Sequence, residues 1–157
     1  MRLAENLPER FTRTLNEVLE GLPRIMTLPF VLTHGDLNEM NMLVDDNGHI
    51  TGIVDWAESR ILPFGFALWG LENILGYMNS KGWHYHDNAQ KLRDEFWRIF
   101  EADTGCVQDD VKANIRLARM AGLFLRYGFE HSASVTGKVN DTDFALRYAD
   151  AFCTGGL

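Results

Sequence analysis

The chain has 157 residues, of which 46% are hydrophobic and 11% aromatic, so it is able to bury a core and is not predicted to be disordered. Its 15 basic and 22 acidic residues give a net charge of −7, which opposes binding to a phosphate backbone and excludes nucleic acid as an expected partner. The two cysteines form no C-x-x-C motif and no apolar leader follows Met1, which favours a cytoplasmic location. No apolar run reaches the roughly 20 residues that span a bilayer, so no membrane association is expected.

The first third of the chain predicts one helix and three strands. Apolar residues between Pro8 and Leu22 recur at helical spacing, and Pro23 is expected to end this helix. Apolar runs bounded by turn-forming residues predict strands in the next part of the chain. These strands are Phe30–Thr33, Met42–Asp45 and His49–Val54. The last two are expected to pair as a hairpin around the turn Asp46-Asn47-Gly48.

Beyond Pro63 the apolar residues follow longer helical periods. The predicted helices are Phe64–Met78, Ala89–Ala102, Asp109–Glu130 and Asp141–Phe152. No internal repeat or low-complexity linker divides the chain, so residues 1–157 are expected to form a single domain. A small hairpin embedded in helices is an α+β arrangement.

The segment from Thr33 to Trp56 contains the residues that point to chemistry. Asp36 and Asn41 lie five positions apart in a loop between two predicted strands, and Asp55 follows 14 residues after Asn41. Phosphoryl transfer needs a carboxylate that orients the attacking hydroxyl and accepts its proton, and oxygen ligands for Mg²⁺. Protein kinases place a catalytic Asp, a metal-binding Asn and a further Asp at such positions. Each residue alone would be interpreted as a turn or cap residue, but the three together indicate a phosphoryl-transfer site.

The amino-acid sequence of this segment is similar to that of a known family. The run His-Gly-Asp-Leu-Asn-x-x-Asn-x-Leu-Val at 34–44, followed by Gly-Ile-Val-Asp-Trp at 52–56, resembles the catalytic segment of the aminoglycoside phosphotransferase and choline kinase-like family. The residues at 61–65 and 68–72 resemble its fungal branch. Members of the family have a protein-kinase-like fold and phosphorylate small molecules. The resemblance covers most of the chain, and its specific part is confined to residues 33–56.

The resemblance implies roles for the motif residues. Asp36 would be the catalytic base, Asn41 and Asp55 would bind Mg²⁺ and through it the ATP cofactor, and His34 would brace the loop. The acceptor would be a small-molecule hydroxyl compound, and the net charge of −7 favours a cationic one. Asn38 and Glu39 are expected to be solvated loop residues rather than substrate contacts.

The resemblance also implies that the chain is the mostly helical C-terminal lobe of the kinase-like fold and that the N-terminal nucleotide lobe is absent. Kinases hold the ATP phosphates with a glycine-rich loop and a strand lysine. The first lysine here is Lys81, and no G-x-G-x-x-G motif occurs. We therefore expect a truncated product or one half of a split enzyme, which by itself binds ATP weakly and shows little activity.

A second departure concerns the residue that anchors the catalytic loop. Relatives commonly carry an Asp where this chain has Phe66. A phenyl ring accepts no hydrogen bonds from the loop backbone, so Glu58 or Glu72 is expected to replace it as an acceptor.

Two other classes of function stay open. In the first, the helical lobe is a non-catalytic fragment that binds a cationic ligand or a partner, and its apolar face is covered by a complementary lobe or a second copy. In the second, His34 and Asp36 bind iron together with a distant histidine, which would be His84, His86 or His131. The small number of predicted strands disfavours this site. The run Trp83–His86 is expected to be an aromatic loop near a substrate mouth or helix end rather than a metal site.

Overall fold

Five α-helices and six short strands are found among residues 7–105, 108–128 and 144–154, which are the residues that this computed structural model describes. The helices are α1 (Thr12–Ile25), α2 (Trp69–Ile74), α3 (Ala89–Thr104), α4 (Asp109–Tyr127) and α5 (Phe144–Thr154). The strands are β1 (Phe30–Thr33), β2 (Met42–Val44), β3 (Ile50–Ile53), β4 (Arg60–Pro63), β5 (Gly76–Asn79) and β6 (Gly82–Tyr85). The predicted α+β class is confirmed.

The strands form three separate antiparallel pairs, β1 with β4, β2 with β3, and β5 with β6. The predicted β2–β3 hairpin is confirmed, and its turn is stabilised by the Asp45 carboxylate, which accepts hydrogen bonds from the backbone N–H groups of Asn47 and His49 at 2.9 Å each. These bonds also hold the pKa of Asp45 below its usual value. Two of the pairs, β1–β4 and β2–β3, begin or end at the loop that contains Asp36, so they determine where that loop lies.

The main core lies between α1, α4 and α5. An amphipathic face of α1 packs its buried residues Leu15, Val18 and Ile25 against Ala118 and Phe124 of α4. The apolar stripe of each helix is therefore buried and its charged face is exposed, as the helical spacing predicts. The long helix α4 is consequently fixed in place, and its C-terminal end lies beside the loop that contains Asp36.

The predicted end of the first helix is wrong, because α1 continues through Pro23 to Ile25. A proline lacks its own backbone donor, and its ring crowds the carbonyl group four residues earlier, so it disrupts a helix most strongly in the interior. Pro23 is exposed and lies in the last turn, where Met26 N–H still donates to the Leu22 carbonyl oxygen at 3.0 Å. The complete burial of Ile25 offsets the lost bond and keeps this turn helical.

The predicted helix at Phe64–Met78 is also wrong over most of its length. Only α2 is helical there, and β5 and β6 follow it as a hairpin, while β4 was not predicted. Tyr77 pairs with His84 across this hairpin, and their rings stack with centroids 5.4 Å apart. Aromatic residues favour strands when they find cross-strand partners, which spacing along one segment does not reveal.

The remaining helices agree with the prediction apart from their ends. Helices α3 and α4 begin where they were expected, at Ala89 and Asp109. Helix α5 begins at Phe144, and the predicted residues 129–130 and 141–143 lie outside the described residues. Among the described helices, none combines the length and the apolar character that a transmembrane segment requires.

Candidate active site

The loop that contains Asp36 connects β1 to β2 and turns sharply at Gly35. This residue has φ of 85°, in the left-handed region that favours glycine. A Cβ atom added there would lie 3.0 Å from the carbonyl carbon of Glu58, so any larger residue would push the loop away from that backbone. The sequence His-Gly-Asp therefore brings Asp36 close to the turn that follows Asp55.

The backbone of Asp36 is held by neighbouring side chains. The amide groups of Asn38 and Asn41 both donate to the Asp36 carbonyl oxygen, at 3.1 and 2.8 Å. The Asp36 N–H donates to Nδ1 of His34 at 3.3 Å. Asn38 is thus partly buried and structural, which corrects the expectation that it is solvated, whereas Glu39 is exposed as expected.

His34 connects the loop to the strand that leads to Asp55. Its Nε2 lies 2.8 Å from the Val54 carbonyl oxygen, to which it donates, so Nδ1 is left as the acceptor for Asp36. The ring is 95% buried and packs on Trp56 with a centroid distance of 4.7 Å. His34 therefore braces the loop, as the resemblance implies.

The iron-site alternative loses support from this geometry. Both ring nitrogens of His34 are engaged within the protein, so neither is directed toward a metal. Among the described residues, no group of three His, Cys, Asp or Glu side chains could hold a metal ion. His131, one of the distant candidates, lies outside those residues.

Asn41 and Asp55 lie at the same end of the β2–β3 hairpin. The Val54 N–H donates to the Asn41 carbonyl oxygen at 3.0 Å, which places Asp55 directly after a residue paired with Asn41. Because the Asn41 amide nitrogen faces the Asp36 carbonyl group, the amide oxygen is turned away and remains an acceptor. One amide oxygen and one exposed carboxylate fit Mg²⁺, which commonly takes few protein oxygens together with water and phosphate oxygens.

The backbone of Asp55 has an unusual conformation. Its φ of 61° and ψ of 60° are left-handed, and it is the one non-glycine residue with positive φ among those described. Such a conformation costs of order 1 kcal/mol or more and is concentrated at functional sites. The strain turns the chain at the end of β3 and leaves the carboxylate exposed.

Arg126 is a site residue that the sequence does not reveal. It lies on α4, 90 residues after Asp36, and its Nη2 donates to Asp36 Oδ1 at 2.5 Å. Its Nη1 lies 3.4 Å from Glu58 Oε2, and its guanidinium is 5.6 Å from the centroid of the Trp69 ring. No motif marks this arginine, because only the packing of α4 against the core brings it to the loop.

A cleft of about 450 Å³ opens beside Asp36, and we call it the Asp36 cleft. It is lined by acidic, amide and aromatic side chains from the loop, α2, the β5–β6 hairpin, α4 and α5, which are Asp36, Asn38, Glu39, Asn73, Tyr77, Met78, Trp83, Arg126, Tyr127 and Tyr148, together with Gly76. Burial raises the pKa of the Tyr127 and Tyr148 phenols, so both stay neutral donors at neutral pH. The run at Trp83–His86 is mainly strand β6 rather than a loop, although Trp83 does line this cleft.

Glu58 and Glu72 were expected to replace the Asp that relatives carry at the position of Phe66, and the structure distinguishes between them. Glu72 is 99% buried and is bound by Arg93 and Arg119, so it is not available to the loop. Glu58 contacts Arg126, which in turn contacts Asp36. Phe66 packs against the main core, and its side chain has no acceptor to offer the loop.

The α+β fold and the motif at residues 34–56 are consistent with the class of kinase-like phosphotransferases. The phosphotransferase enzyme family model matches residues 1–79, half of the 157 residues. The chain belongs to the phosphotransferase enzyme family.

Two curated proteins are similar over short stretches. An uncharacterized protein of Bacillus subtilis, YcbJ, is 47% identical over 30 residues, which cover 19% of this chain and 10% of that protein. The clavilactone A biosynthesis cluster protein Y of Ampulloclitocybe clavipes is 42% identical over 43 residues, covering 25% of this chain and 11% of that protein. The chain thus spans about a tenth of the length of these relatives. No solved structure matches it.

Proposed function

We propose that the chain carries the acceptor and metal side of an ATP- and Mg²⁺-dependent transfer of a phosphoryl group to the hydroxyl of a small molecule. The observation that supports this most directly is the loop geometry. Asp36, Asn41 and Asp55 lie at one end of the β2–β3 hairpin, and hydrogen bonds from His34 and Asn41 connect the loop to it. Fixed geometry of this kind is the main contribution of a protein to phosphoryl transfer.

In the proposed reaction the acceptor hydroxyl gives its proton to the Asp36 carboxylate. The acceptor oxygen forms a bond to the γ-phosphorus of ATP as the bond from that phosphorus to the oxygen of the departing ADP breaks. Asn41 Oδ1 and the Asp55 carboxylate would hold Mg²⁺, which supplies positive charge for the phosphate oxygens when bound. The product is the phosphorylated acceptor.

The Asp36 cleft is proposed to hold the acceptor. Its three charged lining residues, Asp36, Glu39 and Arg126, give it a net charge of −1. Tyr77 and Trp83 present aromatic rings. Aromatic faces and carboxylates attract cations, so an acceptor with an ammonium group is favoured. A volume of about 450 Å³ suits a small molecule.

Turnover by this chain alone is proposed to be slow. Its sequence has no lysine before Lys81 and no G-x-G-x-x-G motif, and these features normally hold the phosphates of ATP. We propose that a complementary lobe supplies them. The alternative function is non-catalytic, in which the Asp36 cleft binds a cationic ligand without transferring phosphate, and it predicts ligand binding that does not depend on Mg²⁺.

The test is isothermal calorimetry of ATP binding to the purified chain with Mg²⁺ or with a chelator. We expect weak binding that requires Mg²⁺ and that Asp55→Ala abolishes, because the variant loses the carboxylate ligand. The matched control is Asp46→Ala, which removes an exposed carboxylate at the opposite end of the same hairpin and should leave binding unchanged.

The two remaining outcomes contradict the proposal in different ways. If the wild-type chain binds no nucleotide, the motif does not operate as a metal and nucleotide site in this chain. If Asp55→Ala binds as the wild type does, nucleotide is held elsewhere and Asp55 has no such role.

A further inference from the structure

Almost every polar atom of Asp36 is held by a side chain. His34 accepts from its N–H, Asn38 and Asn41 donate to its carbonyl oxygen, and Arg126 donates to Oδ1. Oδ2 makes no hydrogen bond with any residue in the described ranges, and Asp36 lines the cleft. One carboxylate oxygen is therefore fixed by the protein while the other is left for a ligand.

Arg126 is itself held on several sides. Glu58 Oε2 lies 3.4 Å from its Nη1, and the Trp69 ring lies beneath its guanidinium at 5.6 Å. Its side chain is 23% exposed and that of Asp36 is 29% exposed. A planar guanidinium with two carboxylate partners and an aromatic face has one preferred orientation, which the compact ammonium group of a lysine does not share.

Arg126 also separates two cavities. On one side is the Asp36 cleft, and on the other is a second cleft of about 420 Å³, lined by Thr33, Ser59, Arg60 and Leu125 among others. Among the residues that the structure describes, Arg126 is the one that lines both clefts. Because Arg126 lies between the two clefts, a change in its orientation would alter the space beside Asp36. It would also alter the direction of the Asp36 carboxylate.

We propose that Arg126 is the positioning residue for Asp36, holding Oδ1 so that Oδ2 faces the acceptor hydroxyl in the Asp36 cleft. The effect of Arg126 on catalysis rests on the proposed function. Its effect on the orientation of the Asp36 carboxylate does not. Glu58 contacts Arg126, and Arg126 contacts Asp36, so Glu58 anchors the loop indirectly. Phe66 cannot provide such an anchor.

This contact differs from the ordinary ion pairs on the surface. The pair of Arg13 and Glu17 joins side chains that are 91% and 53% exposed, and such pairs contribute little to stability. The Arg126 contact is less exposed, joins two elements 90 residues apart and is directed at the proposed base. Its function is therefore the orientation of the carboxylate.

The deciding measurement is the side-chain torsion of Asp36 in the ¹³C,¹⁵N-labelled full chain. Three-bond NMR couplings from the backbone nitrogen and carbonyl carbon to Cγ report whether χ1 occupies one rotamer or averages among several. We expect the wild type to show couplings of a single rotamer, Arg126→Met to show averaged values, and Arg126→Lys to lie between them. The control Arg98→Met removes an exposed arginine paired with Glu95 and should leave the couplings unchanged.

A kinetic measurement adds the functional consequence, with ATP and Mg²⁺ and with water as the acceptor. Misplacing the base is expected to lower kcat about 100-fold while the KM for nucleotide changes less than about twofold, because Arg126 contacts neither Asn41 nor Asp55. Arg126→Lys should restore part of kcat, whereas a purely structural role would lower the melting temperature of Arg126→Met without averaging the torsion.

Wild-type couplings in Arg126→Met overturn the proposal, whether or not turnover is measurable. The couplings are recorded without nucleotide, so they are independent of the Mg²⁺–ATP binding test. Failure of that binding test removes the proposed function but leaves the coupling result to decide the role of Arg126.

Discussion

Glu72 is a carboxylate in the interior of the protein, and it is bound by three side chains. Arg93 donates to both of its oxygens, at 3.1 and 2.8 Å, and Arg119 and Tyr85 donate at 3.1 and 2.9 Å. The bonds to Glu72 raise the pKa of Arg93, and burial raises that of Tyr85. The cluster joins α2, β6, α3 and α4, and of these elements α2, β6 and α4 also contribute residues to the Asp36 cleft.

Replacing Glu72 by Ala should destabilise the protein by about 3–5 kcal/mol, because both buried arginines lose their carboxylate partner. Urea unfolding of the variant and the wild type measures this difference. Glu17→Ala is the matched control, since Glu17 pairs with Arg13 on the exposed face of α1 and should cost less than about 0.5 kcal/mol. A loss below about 1 kcal/mol in Glu72→Ala would show that the arginines find other partners.

At the scale of the elements, α4 fixes the site because of how closely it approaches the segment before α2. A Cβ added at Gly122 would lie 2.7 Å from the carbonyl carbon of Phe66, which is backbone and cannot move independently. Phe66 is packed against the main core, so its backbone is held by that packing. Because Gly122 has no side chain, α4 can lie close to the backbone of Phe66. This close packing brings Arg126 to Asp36.

Gly122→Ala should destabilise the protein by about 1–3 kcal/mol, the usual range for overpacking, despite the better helix propensity of alanine. Gly21→Ala in α1 is the control, because the added Cβ would meet only Leu117 Cδ1, the end of a flexible side chain, at 2.6 Å. Thermal unfolding of both variants measures the difference. Equal stabilities would mean that the segment around Phe66 shifts freely, and then the position of Arg126 would not depend on this contact.

For the whole molecule, the most prominent unexplained feature is an exposed apolar surface on the two sheets beside the loop. Leu32 and Ile61 are cross-strand partners in the β1–β4 pair, with 60% and 62% exposure. Leu43, Val44 and Ile50 of the β2–β3 pair are also more than half exposed. Exposed apolar patches are commonly covered by another chain or domain.

We expect the purified chain to self-associate as its concentration rises, and sedimentation velocity measures this. Leu32→Lys combined with Ile61→Glu should shift the chain toward monomer, while the opposite charges preserve the cross-strand pairing. The control places the same charges at Leu92 and Ile99, which are 44% and 46% exposed and belong to helix α3 rather than to either sheet. A wild type that is monomeric at all concentrations would contradict the expectation that this surface binds a second copy of the chain.

The sequence by itself determined the α+β class, the β2–β3 hairpin and the family motif that contains Asp36, Asn41 and Asp55. These follow from local rules, since the spacing from Asp36 to Asn41 and the turn at Asp46-Asn47-Gly48 depend only on neighbours along the chain. The hydrogen-bonding role of His34 also followed from its place in the motif.

Only the tertiary structure decided which distant residues complete the site. Arg126 reaches Asp36 because α4 packs on the core, and Glu72 is unavailable to the loop because Arg93 and Arg119 surround it. The helix predicted at Phe64–Met78 became a short helix and a hairpin because its aromatic residues found partners across β5 and β6. Local propensity is weaker than such packing, so these features could not be predicted from spacing along the chain.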